Sequence, residues 1–136
     1  MSLHVKMLLV SVFGALLASC AAQPTQGPKP LDLDRQLAER HYLMGPPVDR
    51  IRNYQLSGWN YVDNHHVIMR AGVRDHYLIT LRSYCPDLSS ATSIAFSTTV
   101  GSLTTSDALL VRGPGSILDR CHIRYINRLE KIEDQG

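Results

Sequence analysis

Short runs of alternating apolar and polar residues are the feature that most restricts what this chain can fold into. In residues 76–82 (HYLITLR), alternate positions would share one face of a strand, namely Tyr77, Ile79 and Leu81. The opposite face would carry His76, Leu78 and Thr80. A period of two is that of a β-strand, because successive side chains of a strand point to opposite faces. Further runs rich in β-forming residues occur at 66–70, 93–99, 108–111 and 121–127. The chain is therefore predicted to be mainly β.

The spacing of these runs predicts a small antiparallel domain. Residues 66–82 are expected to form a hairpin, since Gly72 tolerates the positive φ that a tight turn needs. The strands do not alternate with long helices, so we predict about five or six short antiparallel strands in one domain and no parallel α/β sheet. Its core is expected within residues 45–130 of a region spanning 31–136.

The two ends of this domain carry separate predictions. Residues 31–44 (LDLDRQLAERHYLM) have apolar residues at roughly helical spacing and predict one short amphipathic helix. Gly45-Pro46-Pro47 is expected to end it. Arg50 and Arg52, on either side of Ile51, suit the solvent face of an edge strand. The charged tail from Leu129 is predicted to fray.

The first residues of the chain indicate export. Lys6 is followed by an apolar run, residues 7–18 (MLLVSVFGALLA). This run has the ~7–15 residue length of a secretory signal and is shorter than the ~20 residues of a membrane-spanning helix. We interpret residues 1–19 as a signal peptide.

The end of that run is Leu17-Ala18-Ser19-Cys20, which resembles the lipobox of bacterial lipoproteins at all four positions. The resemblance implies that Cys20 becomes a thioether to diacylglycerol and that cleavage precedes it. Residues 20–30 would then be the lipidated cysteine and a flexible tether with three prolines, two glutamines and one glycine. The expected partner of Cys20 is a membrane. Ala21, in place of Asp, indicates the outer membrane, facing the periplasm.

Cysteine and charge counts limit the function further. The chain has three cysteines, and lipid on Cys20 would leave Cys85 and Cys121. An even pair in an oxidising compartment predicts one disulfide. The formal charge is +2 and falls further when Lys6 leaves with the signal peptide. Nucleic-acid binding, which needs a strongly basic face, is therefore not expected.

Several motifs together resemble a family of small uncharacterised proteobacterial lipoproteins that carry a domain of unknown function. The likeness covers roughly residues 48–129. The matching motifs are Gly58-Trp59-x-x-Val62-Asp63, Val67-Ile68, Tyr77-Leu78-Ile79-x-Leu81, Cys85-Pro86-x-Leu88, Ala91, Ile94 and Cys121-x-Ile123. The resemblance implies an envelope location and a paired Cys85 and Cys121. It implies no particular activity.

One polar cluster has the residue types of a metal site. The chain reads Asp63-Asn64-His65-His66, and His122 offers a further imidazole. Carboxylate and imidazole can hold Zn²⁺. However, adjacent strand residues point to opposite faces, and the i, i+4 histidine spacing of zinc hydrolases is missing. We interpret the cluster as a polar turn entering a strand, and we expect no metal or other cofactor.

Aromatic and thiol side chains give two more candidates. Tyr54, Trp59 and Tyr61 are a possible binding surface for a sugar or peptide, although Trp59 as a core anchor is the favoured interpretation. Cys85 could act as a nucleophile only with a free thiol, which pairing with Cys121 would consume.

These observations favour a non-enzymatic envelope lipoprotein that binds or scaffolds an envelope protein or cell-wall polymer. One alternative is a metal-dependent hydrolase using Asp63, His65 or His66, and His122. Another is an inhibitor of a cell-wall hydrolase.

Overall fold

The described part of the chain is mainly β. The computed structural model describes residues 33–52, 56–98, 101–115 and 118–133. Within these ranges there are one α-helix, nine strands and one 3₁₀ helix, Pro86–Ser90. The helix and strands are α1 Leu33–Ala38, β1 Tyr42–Pro47, β2 Arg50–Arg52, β3 Leu56–Asp63, β4 His66–Ala71, β5 Asp75–Leu81, β6 Ser93–Phe96, β7 Ser102–Thr104, β8 Ala108–Arg112 and β9 Leu118–Lys131. The predicted signal peptide, Cys20, the tether and Tyr54 lie outside the described residues.

Seven strands form one curled antiparallel sheet, in the order β3-β4-β5-β9-β8-β6, with β1 also paired to β9. The long strand β9 organises this sheet, because it pairs with β8 near its start, with β5 along its middle and with β1 near its end. β2 and β7 form a separate two-stranded sheet. The predicted mainly β, antiparallel class with one short helix is confirmed.

The sheet buries apolar side chains on both faces. On the first face, residues such as Val67, Ile79 and Ile126 pack in the main core with β8 and the 3₁₀ helix. On the second face, Ile68 and Leu78 are paired neighbours. They form a smaller core, which also contains Leu37, Tyr42, Val62 and Leu129. Alternate residues of β5 therefore belong to different cores: Ile79 lies in the main core and Leu78 in the smaller one. The smaller core exists because α1 and β1 cover part of the second face.

The cysteine pair joins two distant segments of this fold. Cys85 and Cys121 form a disulfide, with their Cα atoms 5.9 Å apart. Cys85 lies four positions after the last residue of β5 and Cys121 lies in β9, so the bond holds the end of the central hairpin against the last strand. This predicted disulfide is confirmed.

The hairpin of β4 and β5 is also confirmed. Gly72 in the connecting turn has φ of 69°. L-residues with a Cβ rarely adopt this conformation, and glycine adopts it without steric cost. Arg50 and Arg52 are exposed on either side of the buried Ile51, as expected of an edge strand.

The strand count differs from the prediction of five or six. The described residues contain nine strands. β2 and β7 have three residues each, which is too short to show a period of two. Their pairing with each other, across about fifty positions, holds them in place.

The two ends of the domain are also corrected. Tyr42–Met44, predicted to be helical, begin β1. His41 has φ of 61°, which ends the helical path, and Tyr42 then pairs with Lys131 in β9. The same pairing extends β9 to Lys131, so the first residues of the tail are part of a strand and do not fray. A Cβ at Gly45 would lie 2.6 Å from the Arg128 carbonyl oxygen, so glycine permits this close approach.

Candidate functional site

The β3–β4 hairpin tip is fixed by its own polar side chains. The His65 backbone N–H donates to Asp63 Oδ1 over 2.8 Å, closing a local turn of the kind that Asp favours. His66 Nδ1 lies 2.8 Å from Asp63 Oδ1 and 3.0 Å from Oδ2. The predicted polar turn is therefore present, and it pairs Asp63 with His66 at the start of β4.

Asn64 ties this tip to the disulfide. Its side-chain Nδ2 donates to the Cys85 carbonyl oxygen over 2.9 Å, and the Cys85 N–H donates to the Asn64 carbonyl oxygen over 2.9 Å. The Tyr61 hydroxyl donates to Asn64 Oδ1 over 2.7 Å. The Asn64 amide is thus used to hold the hairpin and is not presented to a ligand.

The electrostatics of Asp63 follow from these contacts. Burial raises the pKa of Asp63, but hydrogen bonds from His66 and the His65 backbone, with the charges of both histidines, lower it below its ordinary value. Because the folded pKa is lowered, these contacts stabilise the fold above the unfolded carboxyl pKa of about 3.9. That contribution is lost as the pH falls through the folded value.

His66 begins a row of three cross-strand neighbours on the second face of the sheet. His66 is paired with Thr80 of β5, and Thr80 is paired with Tyr125 of β9. Paired residues lie side by side on one face. These positions are two residues along from Ile68 and Leu78, which belong to the smaller core on that face. On the second face, the apolar residues that α1 and β1 cover are therefore followed by an uncovered row of more polar residues.

A β-bulge adds a cation to this row. Tyr125 pairs with Thr80, but the next pair joins Ile123 to Leu81, so Arg124 is an extra residue on β9. Bulges re-aim side chains that regular alternation would send to the other face. The Arg124 guanidinium carbon lies 5.2 Å from the centroid of the Tyr125 ring, within the range of a cation–π contact. Tyr125 itself is 52% exposed.

Together these residues line an open groove, here called the basic groove, of about 360 Å³. It is lined by Asp63, His66, Thr80, Arg82, Arg124 and Tyr125, with His65 and Leu81 also contributing. Arg82 Nε donates to the Ile123 carbonyl oxygen over 2.9 Å, which anchors this guanidinium. Among the described residues, neither Arg82 nor Arg124 forms an ion pair with a carboxylate. The groove therefore has two guanidinium groups and one carboxylate that is already bonded to His66.

The aromatic candidates lie elsewhere. Trp59 and Tyr61 are half-buried and pack against the main core, which agrees with Trp59 as a core anchor. Burial raises the pKa of Tyr61, with smaller contributions from Asp63 and Tyr84. These two rings do not line the basic groove.

The metal candidates are only partly brought together. His65 and His66 have ring centroids 6.4 Å apart, and both line the groove. His122 is not among the lining residues. In the part of the chain that the structure describes, no group of three His, Cys, Asp or Glu side chains is arranged to hold a metal ion. Cys85, the thiol candidate, is bonded to Cys121.

Sequence reasoning identified Asp63, His65 and His66 but missed the other side of the groove. Thr80, Arg82, Arg124 and Tyr125 come from β5, its end and β9. The polar Thr80, between the apolar residues Ile79 and Leu81 of β5, was one available signal. The contribution of Arg124 depends on a bulge that the local pattern does not reveal.

The chain belongs to a family of unknown function (DUF6491), whose model matches residues 3–135. The expected domain of unknown function is therefore shown, over a longer stretch than the motifs covered. No curated protein and no solved structure matches the chain. Among the described residues, no helix has the length and apolar character needed to cross a membrane.

Proposed function

We propose that this member of the family is an exported, lipid-anchored protein whose β-domain binds a component of the bacterial envelope in the basic groove. The observation that carries the proposal is the groove, which has a volume of about 360 Å³ and is lined by residues of the β3–β4 hairpin, β5 and β9. A concave site of this size with a few convergent polar groups is typical of small-ligand recognition.

Export and anchoring are supported by two independent features. Leu17-Ala18-Ser19-Cys20 follows an apolar run of signal-peptide length. Cys85 and Cys121 form a disulfide, a bond that persists in oxidising compartments and is rare in the cytosol. Lipid on Cys20 would account for the third cysteine of the chain.

Recognition is supported by how the polar groups of the groove are used. Asp63 is held by His66, and Arg82 is held by a backbone carbonyl of β9. These bonds fix the walls in place before any ligand arrives, which lowers the entropic cost of binding. Arg124 and Tyr125 are exposed at the same site and can present a cation and a ring to a ligand.

Lipidation of Cys20 gives the first test. The full chain, expressed with its own leader in a Gram-negative host, is expected to incorporate a fatty-acid label and to sediment with membranes. Cys20→Ser should lose the label and leave the membrane pellet, because the lipid is transferred to a thiolate. The matched control, Cys85→Ala/Cys121→Ala, retains Cys20 and should label like the wild type. Wild-type labelling of Cys20→Ser would refute the anchor.

Photocrosslinking in the same cells tests the groove. Tyr125→p-benzoylphenylalanine places a reactive group at the groove, and Val73→p-benzoylphenylalanine places one in the β4–β5 turn, where Val73 is 95% exposed. We expect discrete envelope adducts from position 125 and none from position 73, because only the first lies at the binding site. Equal adducts from both positions, or none from position 125, would reject the groove as that site.

A further inference from the structure

We infer that the basic groove recognises the terminal carboxylate of a short peptide, with Arg124 as the residue that binds it. This inference rests on the proposed function, since it names the chemistry of the ligand at the same site. Three features of the groove carry it: the support of Arg124, the position of Arg82 and the character of the walls.

Arg124 is prepared to bind a planar anion. Its guanidinium lies over the Tyr125 ring, which supports the flat face of the group. The N–H donors of a guanidinium lie in its plane and form a fork that matches the two oxygens of a carboxylate. Stacking on Tyr125 therefore restricts the side chain while its donor edge stays available.

Arg82 supplies a second positive charge beside the first. Arg82 and Arg124 also line a smaller cavity of about 260 Å³ that adjoins the groove. The two cations therefore lie where the two cavities meet. Asp63, the carboxylate of the groove, is hydrogen-bonded to His66. Two guanidinium groups and one carboxylate give these three residues a net formal charge of +1, which a single carboxylate neutralises, whereas a phosphate dianion leaves one negative charge uncompensated.

The remaining walls favour a short peptide over a sugar. The exposed Tyr125 ring provides apolar surface, and Thr80 provides one hydroxyl. A pyranose presents many hydroxyl groups, each of which needs a partner when it is buried. The amide of Asn64, a common type of sugar-binding group, is engaged inside the hairpin. A peptide terminus instead requires few polar partners beyond its carboxylate.

The test compares two probes that differ only in the C-terminal group, which is a charged carboxylate in one and a neutral amide in the other. The full chain, purified in detergent micelles, is titrated with N-acetyl-alanyl-alanine and separately with its C-terminal amide. NMR shifts of the Thr80 and Arg124 backbone amides report binding. The acid is expected to bind at least about tenfold more tightly than the amide, because a charge-assisted hydrogen bond is lost in the amide.

Matched variants assign the effect to one side chain. Arg124→Ala is expected to weaken binding of the acid at least about tenfold, and Arg124→Lys to an intermediate degree, since lysine lacks the planar fork. Arg120→Ala removes another exposed arginine of β9 that does not line the groove, and it should bind like the wild type. Equal losses in Arg120→Ala and Arg124→Ala would overturn the assignment.

Two further probes separate the ligand classes. Tighter binding of inorganic phosphate or of glucuronate than of the dipeptide acid would overturn the inference. Equal binding of acid and amide, or binding of neither, would also overturn it. If crosslinks from position 125 form in cells while the dipeptide fails to bind, the carboxylate inference is rejected and the proposed function stands. If both fail, the proposed function is rejected as well.

Discussion

Removing the Cys85–Cys121 disulfide is expected to lower the free energy of unfolding by about 4 kcal/mol. The two cysteines are 36 positions apart, and opening a loop of that length restores conformational freedom to the unfolded chain. For a small domain whose total stability is about 5–15 kcal/mol, this is a large fraction. This value is derived from the length of the loop alone.

Urea unfolding of the wild type and of Cys85→Ala/Cys121→Ala measures this loss. Alanine is chosen because both sites are buried and a serine hydroxyl there would need a new partner. The double variant should also show a larger dependence of the free energy of unfolding on urea, because its unfolded state exposes more surface. If the free energy of unfolding fell by less than about 1 kcal/mol, the disulfide would not stabilise the fold by restricting the unfolded chain.

Leu37→Ala is expected to lower the free energy of unfolding by about 2–5 kcal/mol. Leu37 is the fully buried residue of α1 in the smaller core on the second face, and Leu33 of the same helix packs against that core. α1 has six residues, and a helix that short is not stable in water without tertiary packing. The substitution therefore removes a buried side chain and weakens the cover over Ile68 and Leu78.

Leu43→Ala is the matched control, because it makes the same chemical change where the side chain is 54% exposed. An exposed substitution of this kind is expected to change the free energy of unfolding by less than about 0.5 kcal/mol. Urea unfolding of both variants gives the comparison, and hydrogen exchange of the α1 amides reports whether the helix undocks. Similar losses in the two variants would show that α1 does not contribute to the core.

Local patterns in the sequence were sufficient for the centre of the fold. The alternation in residues 76–82 predicts a strand, and Gly72 predicts the turn before it, because both signals depend only on neighbouring residues. The pairing of Cys85 with Cys121 followed from counting the thiols that remain if Cys20 carries lipid, in a chain whose first residues predict export. These are properties of composition and short-range geometry, and the structure agrees with each of them.

Long-range pairing decided the ends of the domain. Tyr42–Met44 have helical spacing in the sequence, yet they form a strand because β9 offers hydrogen-bonding partners about ninety positions away. The same contact makes Leu129–Lys131 part of β9. The helix propensity of a few residues contributes little free energy. Pairing with β9, which adds backbone hydrogen bonds and contacts with buried residues such as Leu129, stabilises the strand by more.

The residues of the candidate site also fall into two groups, those visible in the sequence and those that only the structure brings together. The sequence alone identified Asp63, His65 and His66, because polar residues that cluster at a turn are visible locally. Only the tertiary structure placed Thr80 and Tyr125 beside His66, since strand register joins positions that are far apart in the chain. Arg124 reaches the groove through a bulge in β9, and a bulge arises from the pairing of two strands, which neither strand specifies by itself.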